Sequence, residues 1–357
     1  MSPTSPEIYQ LNLNTALNKE EKMNYLDVPV IDFSNAYSEN VNERSKLAEE
    51  IGNVVTNIGF LVLSNHGVNL DVVKKAQQQV SAFFSLPTDK KKEFSPKSKS
   101  YYRGYFGMET GNLGATLGDK EALPDLREYF TLNRELGRDC DDYYKTGLAQ
   151  EIFIPNIWPD NTLPEFKKAL LEYYREMEAL AERIMRMFAL SLGVDEFWFS
   201  SKIDKHMTNL VAANYPEQKN SYSPSQIRAG AHTDYGSLTI LKAENKPGLQ
   251  VKNKLGEWKD VPIVDNSFIV NLGDLMSYWT GGKWVSNIHR VINPKTKDSN
   301  SDRQSIVFFH QPNFDAVIET IPGLEKSSKY PTTTAYEHLM SKINKMNKTS
   351  KFNEIGE

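Results

Sequence analysis

Hydrophobic positions recur at a spacing of three to four residues in three stretches of the first half of the chain. In "NERSKLAEEIGNVVTNIG" the apolar positions Leu47, Ile51, Val54 and Val55 fall on one helical face and Gly59 closes the run. A second helix is expected over Asp71 to Phe84. The longest, "TLPEFKKALLEYYREMEALAERIMRMFALSLG", repeats Phe166, Leu170, Met177, Leu180, Ile184 and Phe188 and stops at Gly193, with Thr162 and Glu165 in capping-box register. "VPVIDFS" (Val28 to Ser34) and "FLVLSNHG" (from Phe60) read as short strands around the first helix. From about Leu210 the period changes. Short apolar or alternating runs follow, broken by Gly, Pro, Asn and Asp: "LVAANYP", "SLTILKA", "LQVKN", "SFIVNLG", "LMSYWTGG", "NIHRVIN" and "RQSIVFFHQP". So many short strands predict a sandwich or barrel, and the fold class is α+β with a mainly β core and a helical N-terminal region packed against it.

Between Lys90 and Thr131 neither period holds. Basic residues, tyrosines and glycines at 104, 107, 111, 114 and 118 predict long loops, which in a compact protein are disordered or functional. The expected boundaries are a polar lead-in over 1–27, a helix-containing region over 28–205, a β core over 206–325, and a C-terminal helix with a Lys/Asn/Ser-rich tail over 326–357.

Composition narrows the function classes. A net charge of -4 and a pI near 6.0 give no general attraction to nucleic acid or to an anionic membrane. No apolar run approaches the roughly 20 residues of a membrane span, and the first residues lack a signal peptide's basic start and apolar block, so a cytoplasmic setting is expected. Cys140 is the single cysteine. A metal would therefore be held by nitrogen and oxygen.

"RAGAHTDYGSLTIL" places His232 and Asp234 two residues apart at the head of a strand-like run, where alternate side chains share a face. A hydrophobic core asks for neither. Among the six histidines, only His289 and His310 lie in later β-like runs, and His289 alternates in phase with Val291, which points it inward. Two imidazoles and a carboxylate leave half an octahedron open, the arrangement of non-haem Fe(II) oxygenases. One strand histidine alone is explained by core packing. The third element is "DRQSIVFF", in which Arg303 and Ser305 share one strand face, and an inward guanidinium needs an anion, best a carboxylate.

"HTD", "HRV" and "RQS", in that order, resemble the Fe(II)- and 2-oxoglutarate-dependent dioxygenases, in particular the branch containing isopenicillin N synthase, plant anthocyanidin synthase and gibberellin oxidases. The resemblance spans nearly the whole chain: "VPVIDFS" and "GFLVLSNHGV" match the N-terminal region, and Leu210 to about Pro322 matches the catalytic double-stranded β-helix, a jelly-roll or cupin-like core. It implies iron held by His232, Asp234 and His289, the distal carboxylate of 2-oxoglutarate held by Arg303, Ser305 and Tyr215, and dioxygen as co-reactant, with ascorbate a candidate reductant. Where the branch often carries an asparagine two residues before that tyrosine, this chain has Ala213, with Asn214 adjacent. The implied reaction couples decarboxylation of 2-oxoglutarate to succinate with substrate C–H oxidation, giving hydroxylation, desaturation or ring closure.

Two alternatives share the pattern. Isopenicillin N synthase and aminocyclopropanecarboxylate oxidase use this fold and an Arg/Ser pair without 2-oxoglutarate, and a binding protein could keep the scaffold without the chemistry. "HQPNFDA" and "GAHTDYG" also resemble microbial members, including ethylene-forming enzyme. For the substrate, the expected pocket wall is Tyr101, Arg103, Tyr105 and Arg127 from the N-terminal loops and Lys283, Trp284 and His310 from the strand ends. Those cations fit a small carboxylated metabolite, an amino acid or a derivative of one.

Overall fold

The computed structural model describes residues 28–98, 101–137, 140–145, 147–217, 223, 225–294 and 301–349. The expected polar lead-in 1–27 and the end of the tail lie outside the described residues. The first two amphipathic runs become α1 (Val41–Asn57) and α2 (Leu70–Phe84), whose N-termini are capped by the side chains of Asn40 and Asn69. A short helix, α3 (Thr88–Lys92), follows, and the long run becomes α4 (Phe166–Ser191). Its capping box does not form: Glu165 is the N-cap, without a side-chain hydrogen bond, and two turns of backbone bonds from Pro159 lead into it.

The strands of the two larger sheets are β1 (Val30–Asp32), β2 (Phe60–Ser64), β3 (Gly104–Phe106), β4 (Glu128–Asn133), β5 (Asn209–Tyr215), β6 (Ala229–His232), β7 (Leu238–Ala243), β8 (Leu249–Lys252), β9 (Trp258–Asp260), β10 (Phe268–Leu272), β11 (His289–Val291) and β12 (Arg303–His310). Eight of them form one large sheet in the order β1-β2-β10-β7-β12-β5-β4-β3, and four form a second in the order β6-β11-β8-β9. Two expectations are corrected here. The presumed loop region contains β3 and β4, and "LMSYWTGG" is not a strand but helix α5 (Asp274–Trp279), because its first amides donate to the carbonyls of Asp234 and Gly236. A final helix, α6 (Ala335–Thr349), follows the barrel.

Register assigns each side chain of the large sheet to one of two cores. Cross-strand partners share a face, so the pairs Ile269↔Val62, Ile269↔Leu241, Val307↔Leu241, Ser305↔Ala213 and Tyr129↔Ala213 define a single inner surface. It meets Leu249, Val251 and Val291 of the small sheet in a buried cluster. The alternate residues, among them Leu61, Phe268, Ile240, Phe308, Leu210 and Phe130, pack outward against α1, α2 and α4. The helices therefore cover one face of the large sheet, while the other closes on the small sheet around a polar centre.

Candidate active site

His232 ends β6 and His289 begins β11, and the two residues are direct cross-strand partners, with ring centroids 4.3 Å apart. Asp234 lies two residues past His232, in the turn leading to β7. Its Oδ1 is 3.7 Å from His232 Nε2 and 3.6 Å from His289 Nε2. These separations exceed a hydrogen bond, yet one cation bonded at about 2.0–2.2 Å spans them. The three are the group of potential metal ligands found among the described residues, and all are buried.

Local bonds aim each donor atom. His232 Nδ1 donates to the Gly230 carbonyl at 2.7 Å and His289 Nδ1 to that of Asn287 at 3.2 Å, which leaves both Nε2 lone pairs facing Asp234. The other carboxylate oxygen, Oδ2, accepts from Thr239 Oγ1 and Asn271 Nδ2, each at 2.6 Å. Burial, reinforced by the charge of His289, pushes His232 down to about 3. Burial opposes ionisation of Asp234, but His289, His232 and the bonds from Thr239 and Asn271 hold its pKa below the ordinary value. A neutral imidazole at His232 and an ionised carboxylate at Asp234 are the protonation states in which such groups ligate a metal. The donor set fits Fe(II) with open positions.

On the inner face of β12, Arg303 and Ser305 stand opposite Tyr215 and Ala213. Arg303 is only 1% exposed, its Nε has no partner, and its guanidinium lies 5.3 Å from the centre of the Tyr215 ring. Among the described residues no carboxylate forms an ion pair with it. Asn214 points to the opposite face, where it donates to Glu128 and accepts from Gln304, so it does not replace the asparagine missing at Ala213.

Of the expected pocket wall, Arg127 lies on the triad side. Two residues before Tyr129 on the inward-facing phase, its guanidinium sits 5.2 Å from the Tyr129 ring and its charge contributes to lowering the His232 pKa. Its anionic neighbour is Asp125, 3.8 Å away and already accepting the amides of Gly230 and Leu113. The other residues are placed elsewhere, which revises the expected wall. Tyr105 points to the helical layer and donates to Glu128, itself paired with Lys91. Trp284 reaches Thr56 and Phe188, and His310 bonds Ser237 on the helix-facing side of β12. Arg103 donates to the carbonyls of Tyr102 and Ile152, Tyr101 to that of Pro155, and Lys283 is exposed. For Tyr105 on β3 and His310 on β12, strand parity could have revealed the helix-facing side once those strands were paired with their neighbours. Thr239 and Asn271 were missed because their role depends on register across three strands.

Comparison with known proteins agrees with this geometry. Residues 28–161 match the family described as the non-haem dioxygenase in morphine synthesis N-terminal, and residues 207–312 match the 2OG-Fe(II) oxygenase superfamily. The 2-oxoglutarate-Fe(II) type oxidoreductase hxnY of Emericella nidulans is 32% identical over 314 residues, covering 86% of each chain. The chain belongs to the 2OG-Fe(II) oxygenase superfamily. A homoarginine-6-hydroxylase of Arabidopsis thaliana is 30% identical over 311 residues, 84% of this chain and 89% of the relative. A full-length Neurospora crassa protein solved in complex with alpha-KG superimposes with a TM-score of 0.77 at 29% identity, covering 92% of this chain and 98% of that one; the same protein has also been solved with thymine bound. As a member of this superfamily the protein is a non-haem Fe(II)- and 2-oxoglutarate-dependent dioxygenase, with His232, Asp234 and His289 as its iron ligands. No helix among the described residues is long and apolar enough to cross a membrane.

Proposed function

We propose that this oxygenase oxidises a C–H bond of a small carboxylated metabolite of the amino-acid kind, with Arg303, Ser305 and Tyr215 holding the distal carboxylate of 2-oxoglutarate and Arg127 meeting the substrate carboxylate. Bound iron and keto acid supply the oxidising power, as dioxygen is consumed and 2-oxoglutarate leaves as succinate and carbon dioxide. The residues bind, orient and exclude water. His232 and His289 keep their Nδ1 protons on backbone carbonyls, and Thr239 and Asn271 hold Asp234. Phe60 sets its ring against His289, with centroids 5.2 Å apart, while Val62, Leu241 and Ile269 make the adjoining wall apolar. In so dry a setting the guanidinium of Arg303 gains most from a carboxylate that can accept two of its hydrogens.

The observation that carries the substrate reading is Arg127, a largely buried cation on the triad side whose one nearby carboxylate is engaged by two amides. A homoarginine hydroxylase among the relatives supports an amino-acid-like substrate. The test is a panel of amino acids, their derivatives and their methyl esters, scored by substrate-dependent succinate release from the parent and from Arg127→Gln. The acid should be turned over and its ester poorly, with KM for the acid raised about tenfold or more in the variant and that for 2-oxoglutarate nearly unaltered. Equal turnover of acid and ester, with Arg127→Gln behaving like the parent, would remove the anionic substrate.

A further inference from the structure

Arg228, four residues before the first iron ligand, is as deeply buried as Arg303. Its exposure is 2%, its Nε has no partner, and its hydrogen bond is to the carbonyl of Ser301. The nearest acid in sequence to that carbonyl, Asp302, is held by Lys246 at 2.9 Å. Among the described residues no carboxylate forms an ion pair with Arg228. Its guanidinium lies 6.0 Å from the centre of the Tyr215 ring, the same ring that Arg303 approaches to 5.3 Å. Burial lowers the pKa of each arginine, and for Arg228 the charge of Arg303 adds to it while Tyr215 and Asp302 oppose it.

Two buried guanidinium groups flanking one tyrosine, with no carboxylate among the described residues ion-paired to either, form an arrangement that repels itself. Buried charges persist where they are paired. Arginine cannot relieve the conflict by shedding its proton, and Asp302 and Glu244 act on the pair without forming an ion pair with it, so a ligand carboxylate would supply the close counter-charge.

We propose that Arg228 is a second cationic residue of the keto acid site, acting with Arg303 on the distal carboxylate and setting the preference for a dicarboxylic keto acid. The inference rests on the assignment of Arg303, Ser305 and Tyr215 to that carboxylate. It differs from a purely structural role, in which Arg228 only fastens the chain at Ser301: a fastener would affect every keto acid alike, whereas a carboxylate partner affects those that carry the second carboxylate.

The experiment is anaerobic calorimetric titration of the Mn(II)-loaded protein with 2-oxoglutarate and with 2-oxovalerate, which has the same carbon count and no distal carboxylate. It is run on the parent and on Arg228→Gln, Arg228→Lys and Arg303→Gln, with Mn(II) affinity and melting temperature measured alongside. Arg228→Gln should weaken 2-oxoglutarate about tenfold or more, leave 2-oxovalerate within about twofold, and leave Mn(II) affinity unchanged; Arg228→Lys should recover part of the loss. Equal losses for both keto acids would make Arg228 structural and overturn the proposal. So would an unchanged 2-oxoglutarate affinity in Arg228→Gln while Arg303→Gln still loses it. If Arg303→Gln also fails to distinguish the two keto acids, the underlying assignment of the site is what fails.

Discussion

Asp234 shows at the scale of one residue how the sequence builds a metal centre. One carboxylate oxygen faces both imidazoles, and the other is fixed by Thr239 and Asn271, so the side chain cannot turn away without breaking two 2.6 Å bonds. Asn271→Ala should therefore weaken Fe(II) binding by about 10- to 100-fold while leaving the fold intact, as measured by metal titration beside circular dichroism. Unchanged affinity would show that ligand orientation does not depend on this contact. The triad was legible because i, i+2 spacing and the phase of His289 with Val291 are local facts. The pocket wall was not, since which face Tyr105 or His310 presents depends on pairing with strands far away in sequence.

At the scale of elements, the site depends on how α5 meets the turn that carries Asp234. The amides of Gly273, Asp274 and Leu275 donate to the carbonyls of Ser237, Asp234 and Gly236. A Cβ at Gly273 would stand 2.1 Å from the Gly236 carbonyl oxygen, a backbone atom that cannot step aside. Gly273→Ala is expected to cost at least about 1–3 kcal/mol of stability and to lower iron affinity with it, because the clash displaces the segment holding Asp234. A variant with parental melting temperature and iron content would show that this approach is not needed. The three long amphipathic helices could be read from periodicity, since each buries one stripe. The run now seen as α5 could not: six residues are too few to show a period, and its helix is set by bonds to a turn forty residues earlier.

For the whole molecule, the two-core arrangement carries a pH dependence. His66, His206 and His310 are buried on or beside the large sheet, and burial lowers the pKa of all three, His310 well below the ordinary value. The unfolded chain binds more protons than the folded one once pH falls below about 6.5, so stability is full above that pH and declines as acid is added. Melting temperature should thus drop between pH 7 and pH 5, and His310→Gln should flatten the decline. A profile that is level over that range, or as steep in the variant, would contradict the assignment of neutral buried histidines. The barrel, the helical layer and the iron centre could all be anticipated because each leaves a periodic or motif-level trace; the division of the large sheet into inner and outer faces required the register.

The central claim is that one buried centre couples 2-oxoglutarate decarboxylation to substrate oxidation through His232, Asp234, His289 and Arg303. Its most direct test follows the release of labelled carbon dioxide from carbon-1-labelled 2-oxoglutarate, together with succinate, by the Fe(II)-loaded protein given a metabolite that it turns over. The parent should release both in equal amounts, Asp234→Ala should release neither, and Arg303→Ala should need far more 2-oxoglutarate, for a loss on the order of 2 to 5 kcal/mol. Release that persists in Asp234→Ala, or a 2-oxoglutarate requirement unchanged in Arg303→Ala, would contradict the account.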